Sequence, residues 1–235
     1  MAKNNRLWGA ERIRGELLKL GMRVCKRTIQ KYMRHMRPPR SKGQNWRTFL
    51  RNHAGEIWAC DFLQVTDLFF RSLFAFFIIE LRSRKVIHVG VTRSPTAAWT
   101  AQQLREATAY GHTPKYLIRD NDSKFGPCFA RVAATNGIKI LKTPYYAPRA
   151  HAICERFLGS VRRECLDHVL ILQEKQLHRV LRAYVEYFNR ARPHQGIRQQ
   201  VPEREATSVP SAQPDERIIS VPVLGGLHHE YRIVA

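Results

Sequence analysis

One stretch limits this chain more than any other: Leu117-Ile118-Arg119-Asp120-Asn121-Asp122-Ser123-Lys124-Phe125. An apolar run from Tyr116 to Ile118 breaks into charge, a polar turn follows, and a new apolar period begins. A buried strand that ends this way presents carboxylates at the mouth of a sheet, where they are costly unless they are paired or hold a cation. By the two-residue period of a strand, Tyr116, Ile118 and Asp120 share a face, so Asp120 is held at the sheet end. Asp122 lies past the strand, just before a helix expected to open at Phe125, and reads as its N-cap or a supporting acid. Asn121 and Ser123 flank the central acid, where they orient it or serve the turn.

The rest of the chain supplies the sheet. Ile57–Val65, Ser72–Glu80 and Lys85–Thr92 read as three strands with short connections, hence an antiparallel meander. A helix is expected from Pro95 to about Tyr110, with Pro95 in its first turn. Lys115–Arg119 is a fourth strand, Phe125–Asn136 a helix and Ile138–Leu141 a short fifth strand. Helices follow at His151–His168 and Glu174–Arg190. The order implies an α/β fold with a mixed five-stranded sheet flanked by helices. Thr143–Ala150, with two prolines and two tyrosines, reads as a loop. Four regions are expected: a helical segment over 1–36, a basic linker over 37–53, a catalytic core over 54–200 and an extended tail over 201–235, with a strand near 218–223.

In the first region, a helix over Glu11–Leu20 is stopped by Gly21 acting as a C′ residue, and a second, basic helix runs from Lys26 to Met36. This is the pattern of a helix-turn-helix whose second helix offers Lys26, Arg27 and Lys31 to DNA. Charge agrees. There are 40 Lys and Arg against 19 Asp and Glu, a net of +21, which points to a polyanionic partner. No apolar run is long enough to span a bilayer and no secretory signal pattern opens the chain, so a membrane partner is not expected. Five scattered cysteines without a CxxC pair read as reduced thiols of a cytoplasmic protein.

The chemistry-bearing residues are three acids. Asp61 sits among Trp58, Cys60, Phe62, Leu63 and Val65 in the first strand, where a carboxylate wants a cation or a strong donor. Asp120 ends the fourth strand, which in a mixed sheet can lie beside the first. Glu155 follows 35 positions later, near the start of the helix after the proline loop. Three acids converging there repel one another unless a divalent metal neutralises them. Such oxygen ligands suit Mg²⁺ or Mn²⁺, and two ions ~3.5–4 Å apart can support phosphoryl displacement.

The motifs Trp58-Ala-Cys-Asp61-Phe, Arg119-Asp120-Asn-Asp-Ser-Lys-Phe125, Pro144-Tyr-Tyr-Ala-Pro148 running to Glu155, and Tyr187-Phe-Asn-Arg-Ala-Arg-Pro-His194-Gln carry a resemblance. The chain resembles the DDE transposase and retroviral-type integrase superfamily, and above all bacterial insertion-sequence transposases with an integrase core. The resemblance spans roughly residues 6–205. It implies an RNase H-like fold, with Asp61, Asp120 and Glu155 as catalytic metal ligands and two Mg²⁺ or Mn²⁺ ions per site. It also implies DNA nicking and strand transfer in DNA recombination, and a homo-oligomer acting on element ends and target DNA near the bacterial nucleoid. Relatives usually have Gly where this chain has Asp122.

The same resemblance gives Arg162, seven residues after Glu155 on the same helical face, a DNA-phosphate role. Arg156 is a weaker candidate, and Arg149 and Tyr145 in the proline loop complete the DNA-facing set. Relatives carry more DNA-binding sequence ahead of such a helix pair, so residues 1–36 read as a partial helix-turn-helix. The rival classes are a truncated or domesticated relative that binds DNA without catalysis, and a nuclease of RNA–DNA hybrids. Glu80 is expected to form a surface ion pair with Arg82 or Arg84, Glu164 and Asp167 to be solvated, and His194 to cap or fix the last helix.

Overall fold

Strand β1 (Ile57–Thr66) pairs antiparallel with β2 (Ser72–Glu80), and β2 with β3 (Val86–Thr92), giving the expected meander. On the other side of β1 lies β4 (Tyr116–Arg119), parallel to it, followed by β5 (Lys139–Lys142), parallel to β4. The sheet order is therefore β3-β2-β1-β4-β5, with β1 central. A strand covered on both faces reads as a continuous apolar run, as Ile57–Cys60 and Leu73–Ile79 do.

The computed structural model describes residues 1, 8–36, 46–109, 111–142, 152–203 and 217–234. The expected proline loop, most of the linker and residues 204–216 of the tail lie outside the described residues.

Side-chain alternation divides the core in two. Ile57, Ala59 and Leu63 of β1 and Ile118 of β4 face α6 (Ala152–Glu164) and α7 (Glu174–Arg190), packing with Cys154, Phe157, Val161, Leu181 and Phe188. Trp58, Cys60 and Leu117 face α4 (Ala97–Thr108) and α5 (Pro127–Thr135), packing with Leu104, Phe129 and Val132. Thr96 caps α4 by accepting the Trp99 N–H at 3.2 Å, so Pro95 precedes the cap and does not occupy the first turn. Helix α5 begins at Pro127, not Phe125, and its cap is Gly126. The residue before a proline is biased away from helical geometry, while Pro at the first helical position has φ already set. Phe125 is thereby freed to pack edge-on against Phe129 at 5.0 Å. Asp122 is not a helix cap.

The β1–β2 hairpin is built on Asp67. Its buried side chain accepts the Phe69 and Arg71 N–H groups at 3.0 and 2.9 Å, Arg71 Nε at 3.1 Å and Arg93 Nη2 at 2.9 Å. Burial alone would push this carboxyl up. The Arg71 N–H and the two guanidiniums outweigh it and hold the group at about 2. An unfolded Asp titrates near ~3.9, so this contribution is present above about pH 4 and is lost as pH falls toward 2. Asp67→Asn should lower the melting temperature at pH 7, and its gap to wild type should shrink at pH 2.5, as followed by thermal denaturation.

Behind α6, the segment closing α7 forms a polar clasp. Asn189, 5% exposed, accepts the Val86 N–H and donates to the Val86 carbonyl, each at 2.9 Å. Arg192 grips Glu164 through Nη2 at 2.5 Å and Nε at 2.8 Å, and the Tyr184 hydroxyl donates to Glu164 at 2.8 Å. Glu164 is thus a partly buried hub and not the solvated charge expected. Glu80 likewise accepts the Ser83 hydroxyl; among the described residues no ion pair joins it to Arg82 or Arg84. His194 Nδ1 accepts from Arg192 at 3.1 Å and its Nε2 donates to the Phe188 carbonyl at 3.1 Å. That fixes its tautomer and gives it the structural role expected.

The tail folds back as a two-stranded hairpin, β6 (Arg217–Val223) against β7 (His228–Val234). His228 hydrogen-bonds the Glu164 carbonyl at 2.7 Å and stacks on Tyr187 at 4.9 Å. Chain contacts divide the protein at 44/45. Within the stretch expected as linker lies a helix, α3 (Trp46–Asn52), whose Phe49 meets Tyr116 of β4 at 5.1 Å.

The first unit holds α1 (Ala10–Lys19) and α2 (Lys26–Met36), with Ile13 and Ile29 buried. Gly21 has φ +79°, and the N–H groups of Met22 and Gly21 reach the Leu17 and Leu18 carbonyls at 2.9 and 3.0 Å. This is a Schellman stop that requires a left-handed residue. No described helix is long and apolar enough to cross a membrane.

Candidate active site

The pairing of β1 with β4 runs Ile57 with Tyr116, Trp58 with Leu117 and Ala59 with Ile118. Carried two residues past its last pair, the register points Asp61 of β1 toward Asp120, the first residue after β4, at the ~4.8 Å spacing of neighbouring strands. Alternation puts both on the face of Ala59 and Ile118, where α6 packs. Glu155 lies in the first turn of α6, on its exposed side, next to buried Cys154. All three acids are thus carried to one end and one face of the sheet.

Buried thiols register that convergence. Cys154 is pushed well up, first by burial and then by the negative charges of Asp61, Glu155 and Asp120. Cys60 is also pushed up by burial, with Asp61 and Asp120 adding to it. All five cysteines are free, as expected. Among the described residues no group of three or more His, Cys, Asp or Glu side chains is gathered tightly enough to hold a metal ion. The three positions share a neighbourhood, but their side chains do not close a coordination shell.

The loop carrying Asp120 is pinned on both sides. An Asp120 carboxylate oxygen accepts the Asp122 N–H at 3.2 Å, and its carbonyl receives Arg119 Nη1 at 2.8 Å. The Arg119 guanidinium lies 5.0 Å from the Phe125 ring centre. Asp122 accepts the Lys124 N–H at 3.0 Å and its ammonium at 2.5 Å. Burial would raise the Asp122 carboxyl, but the Lys124 contacts dominate and hold it below its ordinary range. The Lys124 ammonium in turn sits over the rings of Phe62 and Phe74, at 5.4 and 5.3 Å. Asp122 therefore braces the turn. Sequence reading passed over Lys124, although a lysine two residues from an acid in a turn is a recognisable signal. Asp122→Asn should lower stability by ~1 kcal/mol or less, since the pair is partly solvated, and leave catalysis within about tenfold of wild type, as measured by urea denaturation and strand-transfer assay.

The DNA-facing candidates are scattered. Arg162 is exposed on α6 and donates to the Gln64 carbonyl of β1 at 3.3 Å, which ties it to the strand that carries Asp61. Arg156 is exposed on the same helix and lines a separate cavity with Arg84. Tyr145 and Arg149 lie outside the described residues. On α2, Arg27 and Lys31 are exposed, while Lys26 is tied to Glu11 of α1 at 2.8 Å. At least in part, Lys26 joins the two helices.

Residues 136–202 match the family model described as "Integrase core domain". Over 199 residues the chain is 21% identical to an uncharacterized 39.2 kDa protein of insertion element IS476 from Xanthomonas euvesicatoria, covering 84% of this chain and 57% of that protein. It is 22% identical over 143 residues to an uncharacterized 31.7 kDa protein of insertion element IS407 from Burkholderia multivorans, covering 60% of this chain and 52% of the relative. The chain thus spans little more than half the length of these relatives.

Its fold matches the HTLV-2 integrase catalytic core domain solved with magnesium, with a TM-score of 0.51 and 15% identity, over 63% of this chain and 93% of that one. It also matches a chain of the simian T-cell lymphotropic virus intasome solved with the PP2A regulatory subunit B56 gamma. There the TM-score is 0.56 and identity 14%, over 93% of this chain and 82% of that one. The expected RNase H-like architecture is the one observed. The chain thus matches an integrase core domain over residues 136–202, is similar to two insertion-element proteins, and shares the fold of retroviral integrase catalytic cores.

Proposed function

We propose that this protein nicks DNA and transfers the new strand end to target DNA, using Asp61, Asp120 and Glu155 as one carboxylate set. What supports the reading is the β1–β4 register, which carried past its last pair points Asp61 toward Asp120 on the side of α6, the helix that bears Glu155. Three carboxylates are the donor type Mg²⁺ or Mn²⁺ prefers; Asp61, Asp120 and Glu155 would hold two such ions, which would activate the attacking oxygen and neutralise the leaving one. The chain's own part is to hold its donors in place. Asp61 is fixed within a buried strand, and Asp120 is braced by the Asp122 N–H and by Arg119. Glu155 comes from a helix anchored by Cys154 and Phe157 in the core.

Arg162, two turns along α6 from Glu155, supplies a phosphate contact beside the site, and Arg27 and Lys31 of the first unit add sequence-independent affinity. Assembly as a homo-oligomer on paired DNA ends, in the cytoplasm at the nucleoid, is part of the same reading. The test incubates the full chain with the terminal DNA of its own element and either Mg²⁺ or Mn²⁺, then resolves products on a denaturing gel. Nicked ends with free 3′-hydroxyls and joined products are expected. Tight DNA binding with no nicked product in either metal would make the protein a DNA-binding relative without catalysis.

A further inference from the structure

We propose that a cavity behind α6, distinct from the three-acid site, binds a phosphate-type oxyanion through Arg84 and Arg156. The cavity measures about 350 Å³ and is lined by α6, the β2–β3 turn and the segment after α7. Three arginines meet there: Arg84, Arg156 and Arg192. Arg192 is neutralised by Glu164. Among the described residues, no carboxylate lies within 4 Å of Arg84 or Arg156. Arg84 Nη1 is buried with no hydrogen-bond partner. A buried, unanswered guanidinium N–H is costly, and a tetrahedral oxyanion matches its fork. The like charge of Arg156, after burial, already lowers Arg84 from its ordinary value, so the two cations are neighbours. His194 adds no charge, because one ring nitrogen accepts from Arg192 and the other donates to a carbonyl.

Backbone strain clusters at the same place. Arg84 and Gln199 line the cavity at φ +67° and +63°, and Arg198 beside it is at +60°. Non-glycine residues persist in that region only where the surroundings enforce it, and they gather at ligand sites. Charge, an unmet donor and enforced backbone therefore agree on one small anionic ligand. Arg156 directly follows Glu155, so the source nearest to hand is a backbone phosphate of DNA bound at the active site. That choice of source rests on the function proposed above, whereas the oxyanion site itself does not.

The experiment compares wild type, Arg84→Gln and Gly196→Asp as full chains in EDTA, so that no chemistry is needed. A side chain at Gly196 meets Arg84 Nε at 3.7 Å and Nη2 at 3.9 Å, ordinary contacts, so its carboxylate supplies the missing anion internally. The first arm is thermal denaturation in inorganic phosphate against chloride at equal ionic strength. Wild type should be stabilised by phosphate, and the response should vanish in both variants. Gly196→Asp should also melt no lower than wild type without phosphate, and it decides the question if Arg84→Gln does not fold. The second arm is duplex-DNA binding against salt concentration. A slope reduced by about 0.9 in the variants identifies a DNA phosphate as the ligand, and an unchanged slope with a lost phosphate response identifies free phosphate. If folded variants keep both the full phosphate response and the full slope, the proposal is overturned.

Discussion

Asp61→Asn, Asp120→Asn and Glu155→Gln should each reduce strand transfer by at least ~10³-fold, about 4 kcal/mol of transition-state stabilisation. Each should leave DNA binding and the folded state in place. The substitutions keep side-chain volume, the proposed set gathers three negative charges, and Glu155 is exposed. Removing one negative charge from such a cluster relieves repulsion, so melting temperatures should hold or rise slightly. Loss of activity together with loss of stability would instead describe a structural role. Full activity in any one of the three would remove that residue from the set. Run beside Asp122→Asn, the series separates the acid that acts from the acid that braces its loop.

The largest stability effect is expected at Asn189. Its side chain answers both the N–H and the carbonyl of Val86 at the start of β3, and it is almost fully buried. Asn189→Ala strands one buried donor and one buried acceptor, each worth ~1–3 kcal/mol when left unmet. A total loss of ~2–4 kcal/mol is expected, which lowers the melting temperature by roughly 5–15 °C in a domain of this size. Asn189→Asp keeps the acceptor for the Val86 N–H and sets a carboxylate against the Val86 carbonyl, so it should also destabilise. Arg192→Ala should cost less, because a quarter of each side chain in the Arg192–Glu164 pair remains in contact with water. Urea denaturation of the three variants ranks these effects. An Asn189→Ala loss below 1 kcal/mol would mean that water answers Val86 and that the clasp is not a fastening.

Much of this was legible in the sequence because the signals were local. The apolar runs of β1 and β2, the periodic stripe of α7 and the glycine stop at Gly21 each report their own structure. The pairing of β4 with β1 was legible only as an option open to a mixed sheet, since register is a long-range property. The start of α5 was misplaced because Phe125 was read as the first residue of a helical period, when Gly126-Pro127 sets the boundary. Asp122 was therefore assigned a cap it does not provide. Glu164 looked solvated because the arginine that holds it lies 28 residues away. The tail hairpin was missed as a pair because β6 is exposed and weakly alternating. The motif from Tyr187 to Gln195 was recognised by resemblance, but its physical content is the clasp of Asn189, Arg192 and His194, which no spacing rule reveals.

The central claim is that Asp61, Asp120 and Glu155 act as one ligand set. It is tested most directly by titrating Mn²⁺ into the full chain, following free ion by electron paramagnetic resonance, for wild type and each single variant. Saturable binding in wild type that weakens by tenfold or more in all three variants, and stays unchanged in Asp122→Asn, is the predicted result. Equal Mn²⁺ binding by wild type and the three variants would contradict it.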